Sequence, residues 1–163
     1  MIVRAITLAG GLAVGAGTSQ FPEFSQQYAQ RLGGAVDALS EVVADFDTSA
    51  AAEGLSRSEA LVQMTGADFI ERRRTDMERI FDSHAILTED LELLAEAGPF
   101  MRAYYVARFT DGDVTSAAWD AFQPAVPLNL TGAIFASFGF LVGLITTSSL
   151  LAVIRWPFRR RTA

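Results

Sequence analysis

An uncharged stretch of 24 residues near the C-terminus, Thr131 to Ile154, constrains the fold of this chain more than any other feature. About 20 apolar residues in a helix are enough to cross a hydrocarbon core about 30 Å thick. Arg155 and Trp156 follow at once, which is the basic and aromatic edge expected on a cytoplasmic membrane face. We therefore predict a transmembrane helix at residues 128–156 and a basic cytoplasmic tail at residues 157–163.

Charge is distributed unevenly along the 163 residues. All 19 acidic residues lie between Glu23 and Asp120, where eight arginines leave a net charge of −11. The flanking segments have no acidic residue and five arginines, which are Arg4, Arg155, Arg159, Arg160 and Arg161. Because basic residues beside membrane spans favour the cytoplasmic side, we expect both termini in the cytoplasm. The acidic region is then predicted to be a periplasmic domain at residues 22–127.

The apolar segment at residues 1–21 is a second candidate span. It carries one charge, Arg4, and is rich in glycine and alanine. Two interpretations stay open. We favour a retained first transmembrane helix; the alternative is a signal peptide with Val14-x-Ala16 as its cleavage site.

Small residues recur at i, i+4 spacing in both candidate spans, and such spacing lets another helix approach closely. The first span has two strips, Gly11–Gly15 and Ala9–Ala13–Gly17, and the second span has one strip formed by Gly132, Ala136, Gly139 and Gly143. We predict that the two spans pair through these residues. The alternative is that membrane helices simply tolerate glycine and alanine.

Between the spans, apolar residues at spacings of three and four predict long helices. One seam runs from Tyr28 to Phe46 and another from Ile70 to Leu94. Ser56 and Glu59 form a capping-box pattern, which predicts a helix start. The predicted soluble helices lie at about 22–47, 57–64, 67–97, 99–109 and 114–122. We expect an all-α membrane protein in which two transmembrane helices flank an elongated antiparallel helical hairpin, coiled-coil-like and periplasmic.

Two residues of the second seam are candidates for a special role. His84 could sense pH there, since histidine titrates near neutrality; we favour the alternative of a hydrogen-bonded residue without a function. Arg73 could pair with Asp45 or Asp47 at the end of the hairpin, or its side chain could extend to water.

Two charged clusters are interpreted as solvated surfaces. Arg72–Arg74 lies among acidic residues at i, i+4 spacing, which favours ion pairs over a nucleic-acid site. Glu89, Glu92 and Glu96 form an acidic stripe. A divalent cation or a basic partner is the alternative for this stripe, but no EF-hand-like loop accompanies it.

Composition excludes several kinds of chemistry. The chain has no cysteine, so disulfides, thiolate metal sites and cysteine nucleophiles are excluded. A single histidine argues against a histidine-based metal site within one chain. No nucleophile elbow, P-loop, dinucleotide fingerprint or H-E-x-x-H pattern is present. We therefore predict no enzyme activity, no cofactor and no metal.

Several blocks of the chain resemble one family. They are Ser19–Tyr28 (SQFPEFSQQY), Arg31–Ala35 (RLGGA), Asp45–Asp47, Gly98–Pro99 and Pro124–Pro127. In these blocks the chain resembles small proteobacterial inner-membrane proteins that are classified only as a domain of unknown function. The resemblance implies membrane residence and a bacterial host. It supplies no activity, cofactor or catalytic residue.

The function predicted from the sequence is a non-catalytic accessory or scaffold subunit of a bacterial inner-membrane assembly. Its expected partners are the lipid bilayer and either other membrane-protein subunits or copies of itself, with no nucleic acid and no small-molecule substrate. The alternative is a homo-oligomeric channel or transport-associated protein, in which Thr146–Ser149 would wet a pore. An enzyme that uses periplasmic carboxylates is the third possibility. The C-terminal arginines could also hold anionic lipid, although topology already accounts for them.

Overall fold

Helices make up nearly all of the chain. The computed structural model describes residues 1–109, 111–122, 124 and 129–159, with side chains described as far as residue 156, and these residues contain no β-strand. The helices are α1 (Ile2–Ser19), α2 (Phe21–Ala52), α3 (Arg57–Gln63), α4 (Asp68–Glu96), α5 (Pro99–Tyr104), α6 (Gly112–Ala121) and α7 (Leu130–Arg159), with a 3₁₀ turn at Tyr105–Arg108. This confirms the predicted all-α class.

Helix α2 is longer than predicted. It runs on to Ala52 instead of ending near residue 47, because the residues that follow Asp47 are mostly alanine, the best helix former. Gly54 stops it at φ 71°, a left-handed conformation that glycine adopts without strain. The amides of Gly54 and Leu55 donate to the carbonyls of Ala51 and Ala50, both at 3.0 Å, which is a Schellman motif.

Helices α3 and α7 start on side-chain caps. The predicted capping box is confirmed: the Ser56 amide donates to Glu59 Oε2 at 2.8 Å, and Ser56 Oγ accepts from the Glu59 amide. At the start of α7, the Gly132 amide donates to Asn129 Oδ1 at 2.7 Å. Helix α7 continues to Arg159, past the expected start of a tail at residue 157. Residues 125–128, which precede α7, and the end of the predicted tail at 160–163 lie outside the described residues.

The chain forms two compact units, residues 1–26 with 121–163 and residues 27–120. In the first unit, α1 packs along α7 in the opposite direction: Gly10 lies against Thr147, and Gly15 lies against Ala136. Both stretches are long and apolar enough to cross a membrane, the first within Ile2–Ala52 and the second within Leu130–Trp156. Thr18 Oγ1 lies 2.9 Å from the Phe135 carbonyl oxygen, which adds a hydrogen bond between the two helices.

In the second unit, α2 and α4 pack against each other and run antiparallel. Ser40 meets His84, and Phe46 meets Phe81 with the ring centroids 5.2 Å apart. The buried apolar residues are Tyr28, Leu32, Val36, Val43 and Ala50 of α2, Met77, Leu87 and Leu94 of α4, and Val114 and Ala118 of α6.

The buried face of α2 departs from the predicted seam. Val43 is buried, whereas Val42, which the heptad spacing placed on the seam, is 40% exposed. Val36, Val43 and Ala50 are buried at intervals of seven residues. The inward face of α2 therefore keeps the predicted heptad period but lies one residue further along the chain.

Candidate functional site

The contact between α1 and α7 depends on glycine. Gly11 and Gly15 of α1 are buried. A β-carbon built on Gly15 would lie 2.8 Å from the Ala136 carbonyl oxygen, and one built on Gly143 would lie 2.8 Å from the Gly10 carbonyl oxygen. Since the obstacle is backbone in both cases, no side-chain movement would make room. The glycines bring the two helix backbones together as small-residue packing in membranes requires.

The other small residues of the predicted strips are placed differently. Gly139 is buried against Thr18 of α1, and Ala136 is half-buried. Gly132 is buried in the first turn of α7, where its amide takes part in the cap. The second strip of α1, Ala9–Ala13–Gly17, is exposed and does not face α7.

The residues predicted at the membrane boundary are exposed where the structure describes them. Arg4, Arg155 and Trp156 are exposed, the tryptophan at 58%. Arg159 lies at the end of α7, and its side chain is outside the described part, as are Arg160 and Arg161. Because α1 and α7 run in opposite directions, Arg4 and Arg155 belong to the same end of the pair.

The hydroxyl groups of α7 that were predicted to wet a pore bond to their own helix. Thr146 Oγ1 donates to the Val142 carbonyl at 2.9 Å, and Ser148 Oγ donates to the Leu144 carbonyl at 2.7 Å. Thr147 packs against Gly10. Thr146, Ser148 and Ser149 are exposed on the helix surface. The hydroxyl groups of Thr146 and Ser148 are thus satisfied within the helix whether lipid, protein or water lies outside.

His84 lies between α2 and α4 and is half-buried. Its Nε2 is 2.8 Å from Ser40 Oγ, and Ser40 Oγ also donates to the Val36 carbonyl at the same distance. Because that hydroxyl proton goes to the carbonyl, the geometry suits a ring that donates its own proton to the serine oxygen. The histidine thereby fixes the register of α2 against α4.

Of the two alternatives for Arg73, pairing with Asp45 or Asp47 is not found, and the side chain is exposed. It lies 3.4 Å from Asp76 on its own helix. Asp47 instead binds Arg57, with Nη2 to Oδ2 at 2.6 Å and Nε to Oδ1 at 2.8 Å. Both oxygens of the Asp47 carboxylate are thus engaged by Arg57 at the start of α3. The Arg57 guanidinium also stacks over the Phe81 ring at 4.5 Å.

The charged surface clusters make short-range contacts. In the run of three arginines, Arg74 lies 3.7 Å from Glu78. In the acidic stripe, Glu89 accepts from Arg108 at 2.6 Å, and Glu92 and Glu96 are exposed. Within the described residues, no cluster of three acidic, histidine or cysteine side chains could hold a metal ion.

Asp90 is a buried carboxylate that sequence reasoning missed. It is 1% exposed, and its Oδ1 lies 3.3 Å from Arg108 Nη1 without accepting a hydrogen bond from any described residue. Burial raises the pKa of the Asp90 carboxyl, Arg108 opposes that rise and Glu89 adds to it. The missed signal was spacing, because Leu87 and Leu94 are three and four residues away and put Asp90 on the buried face.

Tyr28 contributes a second buried polar group in the same unit. The side chain is fully buried, and its ring stacks on Phe109 with the centroids 4.2 Å apart and 2° between the planes. The Tyr28 hydroxyl lies beside Asp111 and Thr115 but makes no hydrogen bond of good geometry within the described residues. Two incompletely satisfied polar groups thus lie inside a small core, where each costs stability.

Helices throughout the described residues, with two of them long and apolar enough to cross a membrane, define a small all-helical protein with two candidate spans. Comparison with families adds one finding. The chain belongs to the family described as Protein of unknown function (DUF2937), whose profile matches residues 2–160. This match confirms the predicted resemblance to a family of unknown function. No curated protein and no solved structure matches the chain.

Proposed function

We propose that this protein is a non-catalytic accessory or scaffold subunit of a bacterial inner-membrane assembly. Two transmembrane helices anchor it, both termini are cytoplasmic, and the acidic region between the spans forms an elongated antiparallel helical hairpin in the periplasm. The arrangement of charge supports this topology, since the flanks carry five arginines and no acid while residues 23–120 sum to −11.

One observation carries the proposal: the second unit exposes large apolar side chains close together in sequence. Val62 of α3 is 70% exposed, and Phe69 and Ile70 of α4 are 68% and 37% exposed. We call these three residues the α3–α4 apolar segment. Clustered apolar groups on a water-facing domain are typical of a surface that binds another protein. Burying Phe69 alone would contribute about 2 kcal/mol.

The proposal is tested by the mass of the native assembly. The protein is purified from its host membrane in a mild detergent and weighed by native mass spectrometry. A scaffold subunit is expected with at least one different polypeptide at fixed stoichiometry. An isolated monomer would contradict the proposal.

A homo-oligomeric channel is the alternative, in which Thr146, Ser148 and Ser149, exposed on α7, would line the pore. It predicts a closed ring of identical chains in the same mass measurement. It also predicts ion flux in liposomes that falls when Thr146→Val and Ser149→Ala remove the hydroxyl groups. Flux that survives both substitutions would exclude a pore lined by these residues.

A further inference from the structure

We propose that the basic end of the α1–α7 pair holds one anionic phospholipid. The acyl chain lies in a groove between the two helices, and the headgroup phosphate binds Arg155. This site does not depend on the accessory role, since it uses only the first unit and its placement in a membrane.

The groove has a volume of about 400 Å³ and is built from both helices. Val3 of α1 and Leu151 and Ala152 of α7 provide its apolar wall, and Ser148 and Arg155 complete it. Val3 and Leu151 are half-buried, so the groove is a recess rather than an open helix face. The part of an occupant that lies along this wall must therefore be apolar.

The charge around the groove indicates what kind of group lies at the occupant's other end. Arg155 lines the groove, and Arg4 follows Val3 at the same end of the helix pair. Glu23 is the acidic residue among the described parts of this unit, and it lies beyond the opposite end of α1 from Arg4. The two guanidinium groups are thus not neutralised by the described side chains of their own unit, which favours an anion.

An anionic phospholipid satisfies both requirements at once. Its acyl chain is apolar and its phosphate accepts hydrogen bonds from a guanidinium. The arginine also stands at the correct depth, because it follows Ile154, the last residue of the uncharged stretch, at the edge of the hydrocarbon region. A transmembrane helix of a second copy would fill the apolar wall and leave the arginines without a partner, and free phosphate would leave the wall empty. Basic recesses between spans are known to suit lipid headgroups.

The test uses the full chain in detergent, titrated with phosphatidylglycerol or with phosphatidylcholine of identical acyl chains, and followed by native mass spectrometry. We expect one phosphatidylglycerol per chain and clearly weaker binding of phosphatidylcholine. Arg155→Gln should weaken the binding of phosphatidylglycerol about fivefold, which corresponds to about 1 kcal/mol for one basic group near a lipid surface. Ala152→Phe should abolish the adduct by filling the groove.

Matched variants keep the test independent of folding. Val153 is 65% exposed on the same helix and does not line the groove, so Val153→Phe should bind as the wild type does. Arg31→Gln, a charge removal in the second unit, should also bind normally. Equal affinity for the two lipids, normal binding by Ala152→Phe, displacement by millimolar inorganic phosphate, or a dimer that excludes the lipid would each overturn the proposal.

Discussion

Gly143 of α7 faces Gly10 of α1 backbone to backbone, so that a β-carbon on Gly143 would lie 2.8 Å from the Gly10 carbonyl oxygen. The same β-carbon would lie 2.9 Å from the Gly11 α-carbon. The close approach of the two apolar helices therefore requires glycine at this position, and any side chain must push the backbones apart.

Gly143→Ala is expected to weaken the α1–α7 pair by about 1–3 kcal/mol, the usual cost of overpacking a tight contact. Reversible unfolding in detergent, followed by circular dichroism, measures this change. Gly17→Ala is the matched control, because a β-carbon there meets nothing within 4 Å. A Gly143→Ala variant as stable as the control would show that the glycine contact does not hold the helices together.

Spacing in the sequence predicts small-residue strips but cannot choose between them. Gly11–Gly15 and Ala9–Ala13–Gly17 have the same period and differ only by rotation about the helix axis. The structure turns the first strip toward α7 and leaves the second exposed. That choice depends on the shape of the partner helix, which no pattern within α1 encodes.

In the second unit, too, the sequence predicts some features and misses others. Apolar spacing predicts its helices, and the all-α class is confirmed. It does not predict that α2 presents Val43 instead of Val42, because heptad spacing gives the period of a buried face but does not decide which of two adjacent valines lies on it. It also passes over Asp90, since an acidic residue is normally assigned to the surface.

Asp90→Asn is expected to make the protein more stable at neutral pH. Because the folded-state pKa of Asp90 is raised, its contribution to stability is fully present below the ordinary carboxyl pKa of about 3.9 and is lost as the pH rises through the raised value. Asparagine does not ionise, so the stability of the variant is not lost over this pH range. Arg108 remains paired with Glu89 at 2.6 Å, so no buried cation is left alone.

We expect the free energy of unfolding of Asp90→Asn to exceed that of the wild type by about 1 kcal/mol at pH 7, the scale of one poorly satisfied buried polar group. The two should converge near pH 4. Urea unfolding at a series of pH values measures this difference, with exposed Glu92→Gln as control. A variant less stable than the wild type at pH 7 would mean that the pair with Arg108 outweighs the cost of burial.

Replacing each of two glycines of the second unit with alanine is expected to change folding stability in opposite directions. Gly54 stands at φ 71°, where a β-carbon is strained, so Gly54→Ala should destabilise by about 1 kcal/mol. Gly34 is inside α2 with open space around it, so Gly34→Ala should stabilise by up to about 1 kcal/mol. Thermal unfolding of both variants measures this difference. If the two unfolding temperatures shifted in the same direction, the end assigned to α2 at Gly54 would be contradicted.

The topology can be read with single cysteines, since the chain has none of its own. Ser58 is exposed in α3, so Ser58→Cys should react with a membrane-impermeant maleimide in intact spheroplasts. A cysteine appended after residue 163 should react only after permeabilisation. Equal labelling of both would refute the two-span topology and would indicate cleavage or inversion of the first segment.

The most direct test of the scaffold proposal is native mass spectrometry of the detergent-purified assembly, compared among the wild type, Phe69→Ser and Ile86→Ser. Phe69 belongs to the α3–α4 apolar segment, whereas Ile86 is 55% exposed elsewhere on α4 and controls for loss of an apolar side chain. We predict a different polypeptide bound at fixed stoichiometry to the wild type and to Ile86→Ser, and its loss from Phe69→Ser. A wild-type protein that is recovered as an isolated monomer would contradict the account.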